Sequence, residues 1–395
     1  MRVGFVSVDD ASDATSWSGI PFQILNHLRA QSVDIEVLSP LSSKAKYLVA
    51  PAKSIARLRG KTLSLSHYPL VLRSYARQIE SAIRKRPVDV IFSTSSIPVT
   101  LLQCPQPIVI WTDAVFHSMR DYYGGAFSDL TRGAIKRGEQ QEEIALRRCS
   151  IAAYASTWAM EAAGRITDPK KLRLLPFGSS LPVRHSAEDV AAMARKKRSG
   201  RNGKCELLFV GVDWDRKGGD VAVETARLLN DSGMETVLRV AGPSKLKPVP
   251  NFVSWLGFIN KNSEEGVQRL IAQFQGADFL ILPSKAECSA VVFSEASSYG
   301  LPILSYATGG VSDYVRNGVT GFCLQPGTPA SAFATRIREL LSSDAEYEAM
   351  AVRAFLEYQN RLNWENSVKE LIKICKERIE TGSGDEKIIC EVPRW

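Results

Sequence analysis

The sequence predicts an α/β protein of two doubly wound domains, each a parallel sheet with helices on both faces. Three observations predict it. Short apolar, β-rich runs alternate with longer amphipathic stretches, and this pattern occurs twice along the 395 residues. The runs are apolar throughout, as strands buried on both faces must be. A polar stretch, SAEDVAAMARKKRSGRNGK, separates the two blocks.

In the first block, strands are expected in RVGFVSV, VDIEVLS, VDVIFST, PIVIWT, SIAAYA and LRLLPFG. Helices fit between them at 22–30, 70–86 and 131–148. The second block offers CELLFVG, ETVLRVAG, FVSWLGF, DFLILP, LPILSY and GFCLQP, with helices at 220–230, 264–275 and 293–299. The polar stretch reads as a linker at 186–203, between domains at 1–185 and 204–363. Three helices, at 330–341, 345–361 and 364–378, close the chain before a loose tail beginning TGSGDEK.

Composition narrows the class. At 45% hydrophobic and 23% charged, with no apolar run of 18, the chain is globular and carries no transmembrane helix. The opening MRVGFVSVDD has too short an apolar stretch for a signal peptide. Seven scattered cysteines with no Cys-x-x-Cys pair argue against a disulfide framework and a zinc site, so a reducing cytoplasm is expected. No metal site and no cofactor are expected.

The formal net charge of +8 is local. Residues 44–86 hold eleven Lys and Arg against Glu80 alone, a net of +10, which leaves −2 for the remainder. Within this segment LVLRSYARQIESAIRKR reads as an amphipathic helix, with Leu72, Tyr75, Ala76, Ile79 and Ile83 on one face and Arg73, Arg77 and Arg84 on another. Such a field suits an anionic membrane surface or a phosphorylated substrate; the plain alternative is a solvated face. Nucleic acid is disfavoured, because no recognition motif and no interleaved aromatics accompany the charge.

In open parallel sheets, ligands bind beyond the carboxyl ends of the strands, where helix N-termini point. After DFLILP a loop carries Glu287, and Glu295 comes eight positions later on a helix. The small residues Cys288, Ser289 and Ala290 lead into that helix and leave its first amides open to an anion. Arg216 and Lys217 come after another strand, in FVGVDWDRKGGD, and can supply charge-assisted contacts to a diphosphate.

The Glu-x7-Glu spacing, the Gly-Leu-Pro after it and the later Gly-Gly resemble the signature of glycosyltransferase family 4 (glycosyl transferases group 1). These are retaining enzymes of the GT-B fold, with two Rossmann-like domains facing a cleft and a C-terminal helix crossing back to the first. Ser18-Gly19, YASTWAMEAA, LPFGSSL and Arg216-Lys217-Gly218 fall in the family's order. The resemblance implies a nucleotide-diphosphate sugar as donor and a carbohydrate or lipid-linked hydroxyl acceptor. It gives Glu295 the ribose hydroxyls, Glu287 the transferred sugar, and Arg216 and Lys217 the leaving diphosphate. The amides near Ala290, Val291 and Val292 would cap that diphosphate. Gly257 and Phe258 would line the base, and Gly19 would let backbone approach the phosphates. Asp113 matches a position often occupied by His-Asp, and with Glu287 is the catalytic expectation. Residues 364–395 would rest on the first domain.

Two departures stand out. Gly211-Val212-Asp213 lacks the arginine many members carry after the glycine, and Thr112 replaces a frequent histidine. Plain readings compete for other residues: Asp113 as a helix cap, His117 as a packing histidine, Trp158 and Trp364 as core. A sugar-nucleotide epimerase or a catalytically idle nucleotide-binding scaffold would share the fold. A phosphorylase lacks its cofactor lysine site here, and a dehydrogenase lacks Gly-x-Gly-x-x-Gly.

Overall fold

The computed structural model describes residues 1–120, 122–124, 127–201, 203–242 and 250–382, so the expected loose tail past Gly382 lies outside the described residues. The chain divides into two units. One comprises Met1–Leu175 and the chain from Ser367, the other Pro176–Asn366.

The first unit is built on β1 (Arg2–Val6), β2 (Asp34–Leu38), β3 (Val90–Ser93), β4 (Ile108–Thr112), β5 (Ile151–Tyr154) and β6 (Leu172–Leu174), ordered β2-β1-β3-β4-β5-β6. Every pairing is parallel. β3, β4 and β5 are buried along their whole length, which is why they read as unbroken apolar runs. The helix Pro69–Lys85 starts on a proline and buries Leu72, Tyr75, Ala76, Ile79 and Ile83 in the core beneath it. Each of the larger of these side chains contributes roughly 2 kcal/mol by leaving water. Arg73, Arg77 and Arg84 stay on its less buried face.

A second basic helix, Ala45–Leu58, has no counterpart among the helices expected from periodicity. Its inner face is made of small residues: Ala45 and Val49 pack on the main core, Ala52 and Ala56 on a side cluster with Leu63, Phe116, Leu130 and Ala134. Its large apolar residues point the other way. Tyr47, Leu48, Ile55 and Leu58 are 81, 75, 52 and 88% exposed. Apolar residues on two faces, with Pro51 between them, blur the periodicity that would announce a helix.

The second unit carries β7 (Cys205–Val210), β8 (Thr236–Ala241), β9 (Val253–Gly257), β10 (Phe279–Ile281), β11 (Ile303–Tyr306) and β12 (Gly321–Leu324), in the order β12-β11-β10-β7-β8-β9. All are parallel. This is the doubly wound order whose direction reverses between its first and fourth strands, here β7 and β10.

The linker reading of 186–203 is corrected. Ala187–Arg201 is a helix of the second unit, and Val190 and Ala194 are buried in its core. A capping box starts it: the Ser186 N–H donates to Asp189 Oδ2 at 2.8 Å, and the Asp189 N–H donates to Ser186 Oγ at 3.2 Å. Polar residues dominate the stretch because only a narrow stripe of it faces the core. The division between units falls earlier, after Leu175. The last helix, Trp364–Gly382, begins in the second unit, where buried Trp364 stacks on Phe177 with centroids 5.4 Å apart, and from Ser367 it belongs to the first. Trp158 is only half-buried, its ring 5.0 Å from that of Tyr122.

Candidate functional site

The site assembles where the second sheet reverses direction, at the carboxyl ends of β7 and β10, the place at which a doubly wound sheet binds its ligands. After β7, Asp213 caps the short helix Trp214–Lys217. Its Oδ1 accepts from the Arg216 N–H at 3.1 Å, and its Oδ2 accepts from Arg216 Nε at 3.1 Å. Trp214 anchors this turn from beneath, its ring 5.4 Å from Phe209 and 5.3 Å from Trp255. Sunk into the core, the tryptophan fixes the position of Arg216 and Lys217 just after it.

The β7 loop touches the β10 loop at Gly218. Its φ is +79°, and a Cβ there would lie 2.2 Å from the Pro283 carbonyl oxygen. Only glycine permits both the conformation and the approach. The Lys285 N–H donates to the Arg216 carbonyl at 2.8 Å and ties the loops a second time.

Glu287, 3% exposed, lies on this junction. The Lys217 ammonium contacts its Oε2, Arg216 Nη1 lies 3.4 Å from the same oxygen, and Ser284 Oγ donates to it at 3.5 Å. Arg216 Nη1 also donates to the Ala286 carbonyl at 3.0 Å. The Gly310 N–H donates to the Glu287 carbonyl at 2.9 Å, so the Gly-Gly pair holds the carboxylate loop from behind. A buried carboxylate is tolerable here because two cations compensate it.

Glu295 lies eight positions on, fully buried in the helix Val291–Ser298. The Lys261 ammonium contacts its Oε1, while its Oε2 is buried with no hydrogen-bond partner. Ala290 is the N-cap and no side chain caps the helix, which leaves the turn of Val291 and Val292 without a side-chain acceptor. Gly257 ends β9 at φ +69°, and Phe258 beside it is 62% exposed. The loop they open continues to Lys261 and so reaches Glu295.

The structure therefore brings Arg216 and Lys217 onto Glu287 and joins Glu295 to the loop of Gly257 and Phe258 through Lys261, with Ala290 to Val292 lying between the two glutamates in the chain. The sequence reading missed Lys261, Asp213 and Ser284. Lys261 was findable by the strand-end rule, as the first cation after β9. Asp213 and Ser284 act by hydrogen bonds that only the folded loops reveal.

The remaining candidates lie in the first unit. Gly19 is the N-cap of the helix Ile20–Ala30 at φ +78°, preceded by Trp17 and Ser18 with φ of 43° and 57°. Asp113 lies just past β4; its plain reading as a helix cap does not hold, since the N-cap of the turn Phe116–Met119 is Val115. That turn is held by Glu142, whose Oε2 accepts from the Phe116 N–H at 3.2 Å. Full burial pushes the Glu142 carboxyl up to about 7. His117 is half-buried, and burial lowers its pKa. His67, edge-on to Phe116 with centroids 5.0 Å apart, is lowered to about 4 by burial.

Among the described residues, no three or more His, Cys, Asp or Glu side chains form a group that could hold a metal ion. No described helix is long and apolar enough to cross a membrane.

Residues 193–357 match the family described as glycosyl transferases group 1. Among curated proteins, the chain is 26% identical over 225 residues to D-inositol 3-phosphate glycosyltransferase of Acidothermus cellulolyticus, covering 54% of this chain and 49% of that one. It is 29% identical over 163 residues to lipopolysaccharide glucosyltransferase WaaG of Escherichia coli, covering 39% and 42%. The chain thus spans about half the length of the curated relatives it matches. Among solved structures, Anabaena HepE in complex with UDP-glucose superposes with TM-score 0.63 at 13% identity, covering 95% of this chain and 100% of that one. A crystal structure of WaaG gives TM-score 0.62 at 17% identity, covering 98% and 100%. Those structures carry the fold, two Rossmann-like α/β domains of the GT-B class. The matched segment spans most of the second unit and contains every charged residue of its strand-end site, so it is this unit that is similar to the glycosyl transferases group 1 family.

Proposed function

We propose that this protein is a retaining hexosyltransferase that moves a hexose from a UDP- or GDP-linked sugar to a hydroxyl acceptor, in polysaccharide, lipopolysaccharide or glycolipid assembly. The observation that carries the reading is the placement of Lys217, Arg216 and Glu287 at the reversal of the second sheet, beside an uncapped helix and the buried Glu295. HepE with bound UDP-glucose and WaaG, a lipopolysaccharide glucosyltransferase, share the fold and support the donor class.

In this reading Glu295 takes the ribose, and Gly257 and Phe258 take the base. Arg216, Lys217 and the amides of Ala290 to Val292 neutralise the diphosphate as it leaves. Such preorganised positive charge is usually the largest electrostatic term in catalysis. The bond from the anomeric carbon to the phosphate oxygen breaks, and the acceptor oxygen bonds to that carbon on the same face. The acceptor proton passes to the departing phosphate oxygen. Glu287 holds the sugar hydroxyls, Asp113 orients the acceptor, and Gly19 lets backbone approach the phosphates. No metal or organic cofactor enters the scheme.

The same reading puts the first unit against an anionic membrane that presents the acceptor. The exposed Tyr47, Leu48, Ile55 and Leu58 support it, since large apolar residues facing outward on a cation-rich helix suit a headgroup boundary. Arg73, Arg77 and Arg84 on the neighbouring helix add charge toward the same partner.

Thermal shift with UDP, GDP, ADP and NAD, followed by turnover of the matching sugar nucleotides and NMR of the product anomer, tests the reading. Stabilisation by UDP or GDP and a product of retained configuration are expected. Release of free sugar without acceptor favours the epimerase, and binding without turnover favours the idle scaffold.

A further inference from the structure

We propose that Lys261 is a positioning residue of the nucleoside subsite: its ammonium holds one oxygen of Glu295 so that the other is left for a ribose hydroxyl. The proposal rests on the reading of Glu295 as the ribose carboxylate. It starts from an asymmetry in that side chain. Glu295 is 0% exposed, its Oε1 is ion-paired to Lys261, and its Oε2 is buried with no hydrogen-bond partner. The Ser298 hydroxyl beside it donates to the Glu295 backbone carbonyl at 2.7 Å and leaves the carboxylate untouched.

A carboxylate removed from water is costly unless paired, and a buried acceptor without a donor is uncommon enough to need a reason. Lys261 supplies the pairing. A hydroxyl-bearing ligand supplies the reason, since an ionised oxygen with vacant lone pairs accepts from a ribose diol. Lys261 is well placed to couple base and ribose, because the loop that carries it opens with Gly257 and Phe258. Its side chain is 26% exposed, so it bridges a solvated edge and a buried acid. Holding Oε1 from the loop side fixes the carboxylate rotamer and therefore the direction in which Oε2 presents itself.

A hydrogen bond to a charged acceptor is worth roughly a tenfold or larger difference in affinity. Calorimetric titration with UDP or GDP, whichever binds, and with its 2′-deoxy and 3′-deoxy counterparts measures that difference. The wild type is expected to prefer the ribonucleotide by about tenfold or more over one of the deoxy forms. In Lys261→Met the ribonucleotide weakens and the preference largely disappears, whereas Lys261→Arg keeps it. With a sugar-nucleotide donor, Lys261→Met raises KM while leaving kcat at saturation close to wild type. If Lys261→Met unfolds, Lys261→Gln, which still offers an N–H to Oε1, carries the test and shows an intermediate preference. An unchanged preference in folded Lys261→Met or Lys261→Gln overturns the proposal and reduces the lysine to a stabiliser of a buried acid. Failure of the wild type to bind any nucleoside diphosphate overturns the donor reading instead, and the proposal with it.

Discussion

Lys217 and Glu287 form an ion pair across the reversal of the second sheet, although 70 residues separate them in the chain. The pairing of β7 with β10, Phe279 against Leu207, brings the loops after them side by side. Side-chain exposures of 11% and 4% keep water from screening the pair. Under the proposed function a diphosphate would compete for the same lysine, and the pair would be the resting arrangement that its binding parts.

Removing one partner leaves the other charge uncompensated. Lys217→Met should destabilise the protein by about 2 kcal/mol, less than the roughly 3–5 kcal/mol typical of a fully broken buried pair, because Arg216 remains. Adding Glu287→Gln should restore most of the loss. Urea unfolding of the single and double variants checks this, and equal stability of Lys217→Met and wild type would contradict it.

The two glutamates should fail differently. Glu287→Gln is expected to lower kcat by about a hundredfold or more with a near-normal dissociation constant for the nucleoside diphosphate. Glu295→Gln should weaken that binding by about tenfold and lower kcat less. Steady-state kinetics beside calorimetry separates them.

Gly218→Ala combines a left-handed φ with a clash against Pro283. It should cost more than about 2 kcal/mol and weaken nucleotide binding by parting the loops. Gly233→Ala is the control, with a φ of +87° and nothing within 4 Å of its Cβ; it should cost about 1 kcal/mol and leave binding unchanged.

Glu142 gives a pH signature. Its carboxyl rises from 4.5 to about 7 in the folded state, so the fold holds a proton that the unfolded chain releases. This contribution is present below about 4.5 and is lost as pH rises through about 7, on the order of 3 kcal/mol in all. His67, lowered to about 4, contributes with the opposite sign as pH falls. Comparing wild type with Glu142→Gln at several pH values from about 4 to 8 isolates the glutamate. The variant should gain relative stability as pH rises across that window; a constant difference would contradict the assignment.

Sedimentation with phosphatidylglycerol vesicles checks the proposed membrane contact of the first unit. Wild type should co-sediment at low salt, Leu48→Ser with Leu58→Ser should weaken binding, and reversing Arg73, Arg77 and Arg84 to Glu should weaken it further. Neither substitution set touches the second unit, so binding of a nucleoside diphosphate should be unaffected.

Legibility in the sequence tracked the strength of the periodic signals. β3, β4, β5 and β10 announced themselves because both faces are buried, and the helix Pro69–Lys85 because five apolar residues share one stripe. Glu287, Arg216 and Lys217 were visible because they lie in loops that follow the carboxyl ends of strands, where a parallel sheet binds its ligands, and Glu295 because it stands eight positions after Glu287 on the helix that follows. The helix Ala187–Arg201 was hidden, since its contact stripe consists chiefly of Val190 and Ala194 amid charges. Ala45–Leu58 was hidden for the opposite reason: it shows large apolar residues to solvent and small ones to the core. Lys261 was findable as the first cation after β9, but its pairing with Glu295, 34 residues on, exists only after folding.

The central claim, that the loops after β7 and β10 hold a diphosphate, is tested most directly by calorimetric titration with a nucleoside diphosphate and the matching monophosphate. The wild type should bind the diphosphate more tightly, by about tenfold or more, and that advantage should collapse in Arg216→Met and in Lys217→Met. An advantage that persists undiminished in both variants, or a wild type that does not distinguish the two nucleotides, would contradict it.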